Sequence, residues 1–270
     1  MNTLPQRIIC LTTETVEVLY LLGEQDRIVG ISGYTTRPAI ARQEKPKVSA
    51  FITAKIDKIL ALKPDLVLGF SNLQADIAAA LIKAGVEVHV FNQRSIDDIL
   101  RMILTTGRLV GASDKAEKVV QDIQQQIAAV RKTASDLPRK PKVYFEEWDE
   151  PMMCSIRWAA ELIAIAGGED CFPELSQFHS ASQRIVSPAQ VLERMPDIII
   201  GSWCGKKFQP AQLIAREGWS EIPAVKNGMI FEIKSADILQ PGPSVFTHGL
   251  RQLEKIMQQW VNEGAKGTIV

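Results

Sequence analysis

The hydrophobic pattern of the chain changes period repeatedly. Arg7–Leu11 is a short apolar run, Leu66–Phe70 is continuously apolar and predicts a buried strand, and Arg27–Ile31 and Val86–Phe91 read as further strands. Between them, Thr13–Leu22, Lys55–Leu62 and Ala75–Ala84 have helical spacing and stop at Gly23, before Pro64 and at Gly85. This alternation predicts a parallel sheet covered by helices. A different pattern follows. From Ser113 to Ala134 there is no Gly or Pro, and Ala116, Val119, Val120, Ile123, Ile127 and Val130 form one apolar stripe. Such a segment predicts a single helix about 33 Å long. The stretch LPRKPK (Leu137 to Lys142) ends it. Strands are then expected at Val143–Phe145, Asp197–Gly201 and Met229–Ile233. Helices are expected at Trp158–Ala166, Pro188–Arg194, Pro210–Glu217 and Phe246–Val261.

The two halves echo each other. The segment from Ile59 to Gly69, ILALKPDLVLG, resembles that from Val191 to Gly201, VLERMPDIIIG. Both read short helix, Pro-Asp, buried strand, Gly. EVLYLLG, ending at Gly23, likewise resembles ELIAIAG, ending at Gly167, and the order of the two echoes agrees in both halves. The chain therefore reads as an α/β protein with an N-terminal lobe at 1–111, a connecting helix at 112–136 and a C-terminal lobe at 137–270. Two lobes on a rigid connector imply a cleft, a preferred place for small ligands. In open parallel sheets ligands sit beyond the carboxyl ends of the strands.

Composition narrows the function. Lys plus Arg and Asp plus Glu are both 31, so net charge is zero, which argues against nucleic-acid binding. At 46% hydrophobic and 23% charged the chain is of ordinary globular composition. No apolar window is long enough for a membrane span, so no membrane insertion is expected. The N-terminal segment lacks a basic n-region followed by a long apolar h-region, which fits either a cytoplasmic chain or a mature chain restarted at Met1. The four cysteines contain no CxxC pair, so they read as small buried hydrophobes rather than a zinc cage.

No GxSxG, HExxH or GxGxxG is present. Gly201–Lys207 departs from a phosphate loop in its glycine spacing and lacks Ser or Thr after the Lys. Of the histidines, His89 reads as a core strand residue, His179 lies in a polar loop and His248 starts the last helix. A Cys204–His248 nucleophilic pair lacks an evident third partner but leaves an enzyme reading open.

The loops after the strands carry aromatic and polar contact groups. They hold Tyr34, Phe51 and Phe70 in the first half. In the second they hold Trp148, Met153, Arg157 and Trp158, then Trp203, Cys204, Lys206 and Lys207, then Gln240. Large rings there can stack on a bulky planar ligand, and the cations can meet carboxylates or phosphates. Each ring can equally pack between sheet and helix, as is expected of Trp219.

Three segments, RIICLTTETVEVLYLLGEQDRIVGIS, IDKILALKPDLVLGF and REGWSEIPAVKNGMIFEI, resemble the periplasmic binding proteins of cobalamin and iron-siderophore importers. The resemblance spans nearly the whole chain. It implies the fold of class III substrate-binding proteins, two Rossmann-like lobes joined by one long rigid helix. It implies a monomer without catalysis, catalytic cofactor or resident metal, which captures cobalamin or a related metal chelate and docks on an ABC permease in the periplasm. Tyr34, Phe51 and Phe70 fall where cobalamin-binding members place aromatics around the corrin. In the second lobe the segment around Gln183 lacks a family aromatic, and Gln240 stands where an Arg is expected. The same resemblance points to permease docking through one acidic residue per lobe, Asp57 and Glu193. Three alternatives remain: a ferric siderophore or haem as ligand, a cytoplasmic corrinoid carrier, and a small-molecule enzyme using Cys204.

Overall fold

The apolar runs become the strands of two sheets in the computed structural model, which describes residues 3–266. The ends of the 1–111 and 137–270 spans, residues 1–2 and 267–270, lie outside the described residues. The first sheet contains β1 (Ile8–Cys10), β2 (Ile28–Ser32), β3 (Lys47–Ser49), β4 (Leu66–Phe70) and β5 (Val88–Phe91), in the order β3-β2-β1-β4-β5. Every pair in it is parallel. One face buries Ile9, Leu11 and Val67 against Ile59, Ile77 and Leu81 of the covering helices. β5 is an edge strand, so His89 is half-buried there rather than a core residue, and Val90 is exposed.

The second sheet has the order β10-β9-β6-β7, from β6 (Lys142–Asp149), β7 (Met152–Cys154), β9 (Ile198–Gly201) and β10 (Ile230–Glu232). β8 (Glu169–Asp170) pairs with β6 as well. The strand expected at Val143–Phe145 runs on to Asp149 and turns back into β7, which is antiparallel. Apolar continuity marks only its buried first half. Its second half, Glu146–Asp149, is charged and aromatic and is held by the hairpin.

The sequence echo is a structural repeat. In each unit a short helix (Ile56–Ala61 or Pro188–Arg194) is followed by a left-handed residue, Lys63 just after the cap Leu62 or the cap Met195 itself, both at φ 47°. Pro-Asp follows, then β4 or β9, lying beside β1 or β6. The Asp ties the two strands together where they begin. Asp65 accepts from the Gln6 and Arg7 amides at 2.7 and 2.9 Å, and Asp197 accepts from the Lys142 amide at 2.8 Å. The order β2-β1-β4-β5 thereby recurs as β8-β6-β9-β10.

The helix Ser113–Ala134 has the expected bounds, and Ala116, Val120, Ile123, Ile127 and Val130 are buried along it. The chain forms two units whose boundary falls inside this helix. One runs to Ile123 and takes in Pro241–Pro243, and the other comprises Gln124–Gln240 and resumes at Ser244. A helix at Ile96–Leu109 is additional to those read from the pattern. Ser95 caps it by accepting from the Asp98 amide at 3.2 Å. Its Gly107 permits close packing, since a Cβ there would stand 2.4 Å from that of Ala116. Among the described residues no helix is long and apolar enough to cross a membrane.

Candidate ligand-binding surfaces

On the first unit the loops beyond the strands present an apolar rim. Tyr34 after β2 is 64% exposed, Phe51 and Ile52 after β3 are 37% and 61%, and Leu73 after β4 is 54%. These exposed rings and aliphatic chains stand at the carboxyl edge of the parallel sheet. Phe70 differs, because it is buried, with the Arg94 guanidinium 5.2 Å from its ring centroid.

Specific hydrogen bonds hold this rim. Arg42 donates to the Gly33 and Thr35 carbonyls at 2.6 and 2.7 Å, fixing the turn that carries Tyr34. Gln74 is buried between three loops. Its Oε1 accepts from the Phe70 amide at 2.9 Å, and its Nε2 donates to Leu11 O at 3.3 Å and Phe51 O at 2.8 Å. One side chain thus ties together the loops after β1, β3 and β4. Ile52, Leu73, Arg42 and Gln74 were not singled out from sequence. An isolated Gln carries no pattern signal, whereas Ile52 beside Phe51 in a polar loop was a usable one. Below the rim Glu14 is buried, its Oε2 has no hydrogen-bond partner, and burial pushes its carboxyl up.

The second unit is more self-contained. Trp158 is not on a loop surface. It is buried in the helix Arg157–Ile165, and its indole donates to Ile238 O at 2.8 Å. Trp203 is buried too and donates to Glu146 Oε1 at 3.0 Å. These two rings pack the interior instead of offering a face. Glu146 is the centre of a buried network, accepting also from the Tyr144 hydroxyl at 2.8 Å and from Arg216 at 2.5 and 3.0 Å. Trp219 packs as expected, fully buried and edge-on to Tyr144.

The groups that do reach the surface cluster around Trp148. This ring is half-buried, with its N–H on Glu150 O at 2.7 Å. The Lys206 ammonium sits 4.4 Å from the Trp148 centroid and 4.9 Å from that of Trp203, and it pairs with Asp149. Lys206 is therefore a cation held in place by two indoles and a carboxylate. Met153 is half-buried and bridges to Ile185, Arg157 pairs with Glu161 at 2.8 Å, and Gln240 is half-buried. The segment around Gln183 does present apolar groups, because Phe178 and Ile185 are exposed on either side of it.

Cys204 is exposed, unlike the buried Cys10, Cys154 and Cys171. Burial of its sulfur and the charge of Glu147 push its thiol up, the opposite of what an activated nucleophile requires. His248 bonds to Thr247 Oγ1 at 2.8 Å. Gly201 serves packing, since a Cβ there would strike the Phe208 ring. Among the described residues no group of three or more His, Cys, Asp or Glu is placed to hold a metal ion. Asp57 and Glu193 are both exposed, on the equivalent helices that precede the Pro-Asp strands.

Three comparisons bear on this arrangement. The family model described as Periplasmic binding protein matches residues 8–236. A vitamin B12-binding protein of Vibrio parahaemolyticus is 24% identical over 246 residues, covering 88% of this chain and 84% of that protein. An uncharacterized ABC transporter substrate-binding lipoprotein of Bacillus subtilis is 25% identical over 264 residues, covering 92% and 79%. Among solved structures, the periplasmic heme-binding protein RhuT from Roseiflexus sp. RS-1 superposes with a TM-score of 0.80 at 21% identity, covering 96% of this chain and 98% of that one. The fold is shared with that structure.

Proposed function

The chain belongs to the periplasmic binding protein family, and from that membership we propose that it captures a cobalamin-like corrinoid and delivers it to the permease of an ABC importer. The observation that carries this reading is the rim of Tyr34, Phe51, Ile52 and Leu73, which stands exposed on the first unit and is braced by Gln74 and Arg42. A corrin offers a broad, largely apolar periphery with amide arms. Apolar contact with that periphery supplies affinity in proportion to buried area, at about 25 cal/mol per Å2. The second unit contributes Trp148, Met153, Arg157, Lys206 and Gln240 in this reading, with Lys206 pre-oriented for an anionic group. The protein works outside the cytoplasm without chemistry of its own, and Cys204 has no catalytic part. Docking on the permease runs through Asp57 and Glu193.

A second reading is a ferric chelate such as haem. The exposed phenol of Tyr34 favours it, because a phenolate is a hard ligand for ferric iron. Calorimetric titration with cyanocobalamin, hemin and a ferric hydroxamate separates the two. One-to-one binding of cyanocobalamin at micromolar affinity or tighter is the expected result. Binding of hemin or the hydroxamate with no heat from cyanocobalamin would overturn the corrinoid reading in favour of the second.

A further inference from the structure

Ser71, the first residue after β4, stands at φ 62° and ψ 171°. Met195, at φ 47° and ψ 63°, lies in the left-handed region that other residues visit singly. Ser71 lies outside that region, where essentially only glycine is found. Such a backbone persists only where its surroundings over-determine it. Three hydrogen bonds do so here. The buried Ser71 donates its amide to Phe91 O, at the end of β5, at 2.6 Å. Its carbonyl accepts from the Gln74 amide at 3.2 Å, and its Oγ accepts from the Leu73 amide at 3.3 Å.

The place of this strain matters. β4 lies on the opposite side of β1 from β2, so the loops after β1 and β4 flank the point where strand order reverses. Ligands of open parallel sheets sit at that point. The strained residue turns the chain into one tight turn, Asn72–Gln74. Two neighbours on this turn go opposite ways. Leu73 is 54% exposed in the rim, and Gln74 is buried beneath it, bonded to the Phe70 amide and to Phe51 O.

Glycine would adopt this backbone without strain, but it would also give the unliganded turn many other conformations. Serine restricts the turn and adds an acceptor for the Leu73 amide. Neither the strain nor the outward leucine stabilises the fold, so the benefit falls to a ligand that covers Leu73. A loop already held in its bound conformation spares the ligand the cost of ordering it.

We propose that Ser71 is a positioning residue for ligand binding, whose strained backbone sets Leu73 in the rim before the ligand arrives. This rests on the reading of the rim as the ligand surface.

The test is a double-variant cycle in the full chain, with cyanocobalamin affinity read by calorimetry and stability by urea midpoint. Ser71→Gly should weaken binding about tenfold, since the turn must then be ordered as the ligand arrives. Leu73→Ala removes the group presented and should weaken binding by a similar factor. In the Leu73→Ala background, Ser71→Gly should have less than about a twofold further effect, because it acts through Leu73. A residue that merely supported the fold would lose the same factor in both backgrounds. Ser71→Gly should also unfold at higher urea than Ser71→Ala, because both lack the hydroxyl and only glycine relaxes the backbone. Wild-type affinity in Ser71→Gly, or full additivity with Leu73→Ala, overturns the proposal. So does a Ser71→Ala protein at least as stable as Ser71→Gly. If the wild type binds hemin or the ferric hydroxamate in place of cyanocobalamin, the corrinoid reading falls, and the same cycle with the bound probe decides the role of Ser71. If the wild type binds none of the three, the reading of the rim falls and this proposal falls with it.

Discussion

Gln74 shows how much a single buried amide can organise. Replacing it with Leu leaves the Phe70 amide and two carbonyls without their side-chain partner. Each buried group so stranded costs about 1–3 kcal/mol. Gln74→Leu is thus expected to lower stability by about 3 kcal/mol or more and to weaken cyanocobalamin binding, read from urea midpoints and calorimetry. Gln74→Glu should be worse, because it aims a carboxylate at two carbonyl oxygens. Asp170 is a second test at this scale. Burial pushes its carboxyl up to about 6, with Ser155 donating to it and the Phe172 amide bonded at 2.8 Å. A raised carboxyl means that the folded state binds the proton more tightly than the unfolded chain. This group's contribution is therefore fully present below the unfolded value, near 4, and is lost as pH rises to about 6. The loss is at most roughly 3 kcal/mol. Asp170→Asn, which keeps an acceptor for the amide, should flatten that part of the stability profile and unfold at higher urea than wild type at pH 7. A parallel profile for the two proteins would refute it. Sequence does not separate Trp158 and Trp203 from Trp148, because all three fall beyond the strand ends that the apolar runs predict. What separates them is the location of the indole's acceptor, and the partners Ile238 and Glu146 lie 80 and 57 residues away.

Elements were legible wherever one local force dominated. The long helix and β4 have the bounds read from hydrophobic spacing, since periodicity and burial agree there. β7 and the helix Ile96–Leu109 escaped because their cues conflict. The helix carries Thr105, Thr106 and Gly107 in its last turns, all weak helix formers. Gly107 is a contest between propensity and packing. In an open helix Gly→Ala gains about 1 kcal/mol. At Gly107 the added carbon would meet Ala116 Cβ at 2.4 Å, well inside contact distance, and overpacking of two helices costs about 1–3 kcal/mol. The clash should win, so Gly107→Ala is expected to lower the melting temperature, and Ala116→Gly should recover part of the loss in the double variant. A Gly107→Ala protein that melts higher than wild type would mean that the helices separate freely at this point.

For the whole molecule, the repeat makes the docking hypothesis more than a charge count. Asp57 lies six residues before the left-handed Lys63, and Glu193 two before the left-handed Met195. The four-residue difference is about one helical turn, so both carboxylates occupy roughly the same face of equivalent helices. The two compact units meet within the long helix, and Pro241–Pro243 group with the first, a long-range association that no local pattern announces. The echo survived because Pro-Asp performs the same task in both halves. If the two faces meet cationic sites on a permease, Asp57→Lys together with Glu193→Lys should abolish cobalamin uptake in cells while leaving the cyanocobalamin dissociation constant and the melting temperature unchanged. Both side chains are exposed, so neither substitution disturbs packing. Each single reversal should give intermediate uptake, and raised salt in a reconstituted assay should weaken the wild-type interaction, because exposed charge pairs are screened over about 8–10 Å. Normal uptake by the double variant would move docking to other residues and leave the binding role untouched. Lost uptake together with lost affinity would mean that these carboxylates support the ligand surface itself.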